Sequence, residues 1–197
     1  MPPKRITFIT GNENKLKEVK MILSTGPSTE KDETPFELVN LPLDLDEIQE
    51  IDLEAIAIHK CKQAAQKVDK GNAVFVEDTA LRFDAFNGLP GAYIKWFLKS
   101  LGLEKIVKML EPYENKGAQA VTTIAYADEN GEFHTFQGIT EGIIVDSRGP
   151  TDFGWDSIFQ PLESGGKTYA EMNKTNKNLI SHRGRAFEKF KSHLYNN

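Results

Sequence analysis

RITFITGNENKLKEVKMIL, Arg5 to Leu23, decides the architecture. Its first six residues, Arg5 to Thr10, are mostly β-branched or aromatic and predict a strand. Gly11-Asn12 breaks that run. Leu16, Val19, Ile22 and Leu23 then recur at i, i+3, i+6 and i+7, the spacing of a helix with one apolar face. Strand, tight turn and helix in that order open an α/β unit.

The rest of the chain extends the pattern. Residues 24–35 (STGPSTEKDETP) are polar, with two prolines and a glycine, and predict a surface loop. Phe36 to Leu41 predicts a second strand. Asp52 is placed to cap a helix striped by Leu53, Ile56, Ala57, Ala64 and Val68. AVFV, Ala73 to Val76, is short and wholly apolar, as a strand covered on both faces must be. NGLPG, Asn87 to Gly91, is a turn, and Tyr93 to Leu110 predicts a helix broken near Gly102. Two strands follow, Ala120 to Ala127 and Glu132 to Val145, with the hairpin signal Glu129-Asn130-Gly131 between them. Phe153 to Phe159 predicts a further strand or strand end. Asn173 to about Tyr195 predicts one closing helix, preceded by the capping-box spacing Thr168-x-x-Glu171. The expectation is a single α/β domain over residues 1–197 with a mixed sheet and a small lobe around 115–150.

Composition narrows the function classes. A chain of 197 residues with 39% hydrophobic and 27% charged content can bury a core without staples. Its single cysteine, Cys61, forms no intramolecular disulfide, which fits a reducing compartment. No run reaches membrane-spanning length and the first residues lack a secretory apolar core, so the expectation is a soluble intracellular protein. The net charge of −5, without a basic stripe, argues against general nucleic-acid binding. An anionic ligand would have to be held by a local cluster of cations or by a metal.

Several clusters carry chemistry, each with a plainer reading beside it. Thr10-Gly11-Asn12-Glu13-Asn14-Lys15 places free N–H groups and a lysine at a helix start, a natural seat for phosphate; Asn12 as a cap and Lys15 in solvent is the plainer reading. Glu77-Asp78-Thr79 puts two acids after a buried strand, where they need a cation, and Mg²⁺ suits hard oxygen ligands; an exposed turn is the alternative. Asp44, Asp46, Glu47 and Glu50 read as a solvated loop from which one member could complete a metal site. Lys60 lies beside the apolar stripe of its helix, either snorkelling past it or reaching a phosphate pocket. Phe153-Gly154-Trp155-Asp156 suits base stacking or a core strand end. Lys177, Asn178, Ser181, His182 and Arg183 crowd donors onto one helix, with Asn178 and His182 as i, i+4 neighbours; a solvated face is the alternative. There is no Cys/His zinc spacing and no Gly-x-Ser-x-Gly elbow.

Taken in chain order, TGNENK (10–15), VEDTAL (76–81), GLPGAYIKWF (88–97), FGWDSIF (153–159), TYAEM (168–172) and SHRGRA (181–186) resemble the inosine triphosphate pyrophosphatase family, the nonstandard purine nucleoside triphosphate pyrophosphatases, in its eukaryotic form. The resemblance implies an elongated α/β fold with a long mixed central sheet flanked by helices and two lobes with a cleft between them. It implies hydrolysis of ITP, dITP and XTP to the monophosphate and pyrophosphate, a Mg²⁺ cofactor for which Mn²⁺ can substitute, and a homodimer; a cytoplasmic chain of this size is also small enough to enter the nucleus passively. By position, Thr10, Gly11, Asn12, Glu13, Asn14 and Lys15 would hold the triphosphate with Lys60. Glu47 and Asp78 would bind the metal, Asp78 also accepting the water's proton. Thr79 and Lys95 would line the nucleotide site, and Phe153, Gly154, Trp155, Asp156, Lys177, His182 and Arg183 would hold base and ribose. Donors there reward a 6-oxo acceptor and leave unmatched groups against a 6-amino donor. Two other readings remain open: a related pyrophosphatase with another base preference, and a nucleotide-binding module without catalysis.

Overall fold

The computed structural model describes residues 4–24 and 36–196. The loop expected over 24–35 lies outside the described residues apart from Ser24, which ends a helix. The elements are β1 (Lys4–Ile9), α1 (Glu13–Ser24), β2 (Phe36–Leu41), α2 (Leu53–Ala65), β3 (Ala73–Phe83), β4 (Pro90–Gly91), α3 (Ile94–Met109), β5 (Gly117–Ala127), β6 (Phe133–Ile144), β7 (Phe159–Pro161), α4 (Lys174–Ile180) and α5 (His182–Asn196), with short 3-10 turns among them.

Seven strands form one mixed sheet in the order β2-β1-β3-β5-β6-β7, with β4 paired to β3. β1 pairs parallel to both β2 and β3, Phe8 standing beside Asn40 and Phe75. β4 is antiparallel to β3 and β7 antiparallel to β6. The α/β class and mixed sheet read from the sequence are those of the structure.

The chain divides into two compact units. The first comprises residues 1–78, 123–137 and 186–197, and the second residues 79–122 and 138–185. In the first, AVFV alternates between two clusters. Ala73 and Phe75 pack with Val19 of α1 and with Phe187 and Phe190 of α5. Val74 and Val76 pack with Ala57, Cys61 and Ala64 of α2. A strand covered on both faces has nowhere to put a polar side chain, which is why these four residues are all apolar. Phe8 and Phe75 stack face to face across β1 and β3, their ring centres 4.5 Å apart. In the second unit Leu81, Phe83, Ile106, Ile144, Trp155, Phe159 and Tyr169 form the core.

Four expectations need correction. β3 does not end before the acids but runs on through Glu77, Asp78 and Thr79 to Phe83. Phe153 to Ile158 is not strand: a 3-10 turn, Asp156–Ile158, precedes the short β7. The closing helix is two helices, because Ser181 adopts an extended ψ of 152° and ends α4. Thr168 and Glu171 do form a capping box, but it opens a 3-10 turn, Tyr169–Glu171, rather than the last helix. The break at Gly102 is present as a left-handed φ of 74° inside α3.

Candidate active site

Each unit carries one group of the expected residues. In the first, β1 ends at Ile9 and α1 begins at Glu13, so Thr10, Gly11 and Asn12 make the turn. The Asn12 N–H donates to Thr10 Oγ1 at 3.1 Å, and Asn12 Oδ1 accepts from the Lys15 N–H at 3.1 Å, capping the helix. Gly11, Asn12, Glu13 and Asn14 are exposed, and a Cβ added at Gly11 would meet nothing within 4 Å. The turn is therefore open above a helix start whose first N–H groups lack intrahelical partners. Lys15 is not a solvated lysine: its Nζ lies 3.0 Å from Oε2 of Glu77, a carboxylate buried in β3.

Lys60 of α2 joins two further carboxylates. Its Nζ is 3.1 Å from Glu47 Oε1 and 2.5 Å from Asp78 Oδ1. Burial alone would pull the ammonium's pKa down, but the Asp78 and Glu47 carboxylates outweigh it and hold Lys60 above the ordinary lysine value. The side chain ends on carboxylates, so plain snorkelling past the core does not describe it. The second oxygen of Asp78, Oδ2, is buried and has no hydrogen-bond partner among the described residues. Leaving a carboxylate oxygen dry and unbonded is costly.

That arrangement fits a hard divalent cation. Glu47 and Asp78 already converge on one positive charge, and Asp78 keeps a spare oxygen. Two carboxylates leave most coordination positions for water and phosphate oxygens, which is how Mg²⁺ is usually held. Among the described residues, the one group of three Asp, Glu, His or Cys side chains close enough to share an ion is a different one: Asp128, Glu132 and His134 at the β5–β6 turn. There Asp128 already caps the turn, accepting from the Asn130 and Glu132 N–H groups at 2.9 Å each.

In the second unit the expected base-end residues come together. The Lys177 Nζ meets Asp156 Oδ2 at 2.6 Å and lies 4.3 Å over the ring of Phe153. Arg183 donates to Thr79 Oγ1 at 3.1 Å and lies 5.9 Å from the Phe153 ring centre. His182 packs against Trp155, ring centres 5.4 Å apart, and against Tyr169 at 5.5 Å. Lys177, His182 and Arg183 are all buried, so the solvated-face reading fails for them. The single-helix face fails too, because Asn178 and His182 stand on opposite sides of the α4–α5 break. Gly154, with a left-handed φ of 53° and open space at its Cβ position, lets the chain turn between Phe153 and Trp155. Lys95 is apart from this group: it is exposed on α3, its Nζ 5.4 Å over the Trp96 ring.

The partner of Glu77 and the role of Tyr169 were not assigned from the sequence. Glu77 anchors Lys15, and a charged residue directly after AVFV was the available signal. Tyr169 is fully buried among Trp155, Phe159 and His182, and nothing in TYAEM distinguishes a buried phenol from a packing ring.

Comparison with known proteins places these groups in context. The model of the Ham1 family matches residues 6–193. An inosine triphosphate pyrophosphatase of Candida glabrata is 67% identical over 195 residues, covering 99% of this chain and all of that one. The protein of the same name from Saccharomyces cerevisiae is 64% identical, covering 100% and 99%. Among solved structures, the Staphylococcus aureus Ham1 protein superposes with a TM-score of 0.80 at 26% identity, covering 98% of this chain and 99% of that one. A nucleoside-triphosphatase, dITP/XTP pyrophosphatase from Mycobacterium abscessus gives 0.70 at 26% identity, covering 94% and 98%.

Proposed function

The chain belongs to the Ham1 family, and from that premise we propose that it hydrolyses nonstandard purine nucleoside triphosphates, ITP, dITP and XTP, to the nucleoside monophosphate and pyrophosphate. The observation that carries the reading is Asp78. One of its oxygens is tied to Lys60, while the other is buried with no hydrogen-bond partner among the described residues. A carboxylate held this way, next to a cation and a second carboxylate, is equipped to orient a water and take its proton.

The remaining roles follow from charge. The open turn Thr10 to Asn14 and Lys15 receive the triphosphate, because a helix N-terminus and a lysine both favour anions. Lys60 neutralises charge that develops on the phosphates. Glu47 and Asp78 would hold Mg²⁺, which would polarise the phosphoryl group and offset the charge of the leaving pyrophosphate. Water attacks the α-phosphorus, Asp78 takes a proton from it, and pyrophosphate departs. No protein nucleophile is needed, in keeping with a buried Cys61. Phe153 and Trp155 supply ring faces for the base, and Lys177, His182 and Arg183 supply donors for a 6-oxo group. Thr79 lines the nucleotide, and Lys95, exposed on α3, would have to reach it from outside the group around Phe153.

The biological purpose is removal of these nucleotides before they enter DNA and RNA. We extend the proposal to a homodimer acting in cytoplasm and nucleus, which light scattering and cell fractionation would test. The central experiment incubates the protein with Mg²⁺ and ITP, dITP, XTP, GTP or ATP and identifies the products. IMP with pyrophosphate, and ITP and XTP far above ATP and GTP, is the expected result. IDP with inorganic phosphate would place attack at the γ-phosphorus and overturn the reading. No turnover, with ITP still bound, would favour a binding module.

A further inference from the structure

The environment of Tyr169 leads beyond that reading. Its 3-10 turn is clamped on three sides: the Thr168 N–H donates to Glu171 Oε2 at 2.9 Å, Thr168 Oγ1 donates to the Arg148 carbonyl at 2.9 Å, and Arg148 Nε donates to Glu171 Oε2 at 3.2 Å. The ring, 1% exposed, lies 5.0 Å from Phe159 and 5.5 Å from His182, nearly parallel to the latter at 21°. Apolar packing alone would be served as well by phenylalanine. The hydroxyl sits 3.2 Å from Nδ1 of His182, and a buried phenol needs such a partner.

The direction of this hydrogen bond matters. Burial pushes the Tyr169 hydroxyl well above the ordinary tyrosine value, although the Thr140 side chain and the His182 backbone pull the other way. The phenol therefore keeps its proton and has it to donate, with Nδ1 of His182 3.2 Å away. Thr140 spends its own proton on the Ile180 carbonyl at 2.7 Å. A neutral imidazole that accepts at Nδ1 carries its proton on Nε2.

We infer that Tyr169 is a positioning residue for base selection: its hydroxyl donates to Nδ1 of His182 and fixes that ring as the Nε2–H tautomer, so that the ring presents a donor to the purine's 6-position. This rests on the assignment of His182 to the base. A 6-oxo group accepts from Nε2–H, whereas a 6-amino group meets a donor with a donor. Without the hydroxyl the ring can take either tautomer, and the form with an accepting Nε2 suits adenine. Tyr169 would thus act on selectivity through His182 and without touching the nucleotide.

The test combines long-range ¹H–¹⁵N histidine spectra with kcat/KM for ITP and ATP in wild type, Tyr169→Phe, His182→Ala and the double variant. Wild-type His182 should appear as the Nε2–H tautomer. Tyr169→Phe should show a mixture and lower the ITP-to-ATP ratio about 3- to 10-fold, the value of one neutral hydrogen bond. The double variant should fall no further than His182→Ala. A wild-type Nδ1–H ring, with the phenol donating to Thr140 instead, overturns the inference even if Tyr169→Phe does not fold. A ratio and a spectrum unchanged in Tyr169→Phe, with His182→Ala lowering the ratio, overturn it while leaving the base assignment standing. An unchanged ratio in His182→Ala shows the base assignment itself to be wrong.

Discussion

Asp78 and Lys177 carry opposite versions of one problem, a charge placed where water is scarce. Asp78 has one oxygen on Lys60 and one without a hydrogen-bond partner among the described residues, so its local environment is incomplete in a way that metal or water would complete. Asp78→Asn keeps the shape and removes the base. Its kcat for ITP should fall by about 10² to 10⁴, while ITP binding measured by calorimetry in the presence of Ca²⁺ persists; near-wild-type turnover would remove Asp78 from the chemistry. Lys177 is the complete case, its ammonium 2.6 Å from Asp156 with both side chains buried. Lys177→Met strands the Asp156 carboxylate and should destabilise the protein by about 3–5 kcal/mol in urea unfolding. Adding Asp156→Leu should restore part of that loss, because a stranded charge costs more than an absent pair. No restoration would mean that the lysine stem, packed over Phe153, matters more than the charge.

At the scale of elements, what the sequence showed and what it hid have separate physical causes. β1, α1, α2 and the AVFV core of β3 were legible because hydrophobic period and caps agree there. Asp52 does cap α2, accepting from the Glu54 and Ala55 N–H groups. The continuation of β3 was hidden because charged residues normally mark the end of a buried strand, and here cations on α1 and α2 compensate them. The α4–α5 break was hidden because no glycine or proline stands at the turning residue: Ser181 turns the chain, and its Oγ accepts from the Gly184 N–H at 3.0 Å. The sequence signal is Gly184 itself, since a Cβ there would fall on the carbonyl oxygen of Asn178. Gly184→Ala should therefore cost about 1–3 kcal/mol of overpacking, lowering Tm by about 2–4 °C for each kcal/mol in a protein of this size. An unchanged Tm would show that the two helices can separate without loss.

For the whole molecule, the sequence was most informative about which residues matter and least about how they are neutralised. Lys15 with Glu77, Lys60 with Asp78 and Glu47, and Lys177 with Asp156 join residues 13 to 62 positions apart. Pairings at such separations have no local signature. Cys61 shows the same limit, since its burial could be guessed from α2 but not the completeness of it. The thiol lies fully buried among Val74, Val76 and Ala57. Burial pushes its pKa up from 9.0 to about 12, against a smaller opposing pull from the Ala127 backbone. Above about pH 9 the unfolded chain ionises this thiol and the folded chain does not, so the unfolded state binds fewer protons and stability falls as pH rises. The contribution is fully present below the ordinary value and is lost between 9.0 and about 12, at up to about 1.4 kcal/mol for each pH unit. Other groups also link stability to pH there, among them Tyr126 and Tyr169, which burial holds above the ordinary tyrosine value, but they are common to wild type and Cys61→Ala. Urea unfolding of both at pH 8 and at pH 10.5 isolates the thiol in the difference. Wild type should lose more stability than the variant over that interval; equal losses would mean that water reaches the thiolate in the folded protein and that the cluster around α2 is looser than its geometry implies.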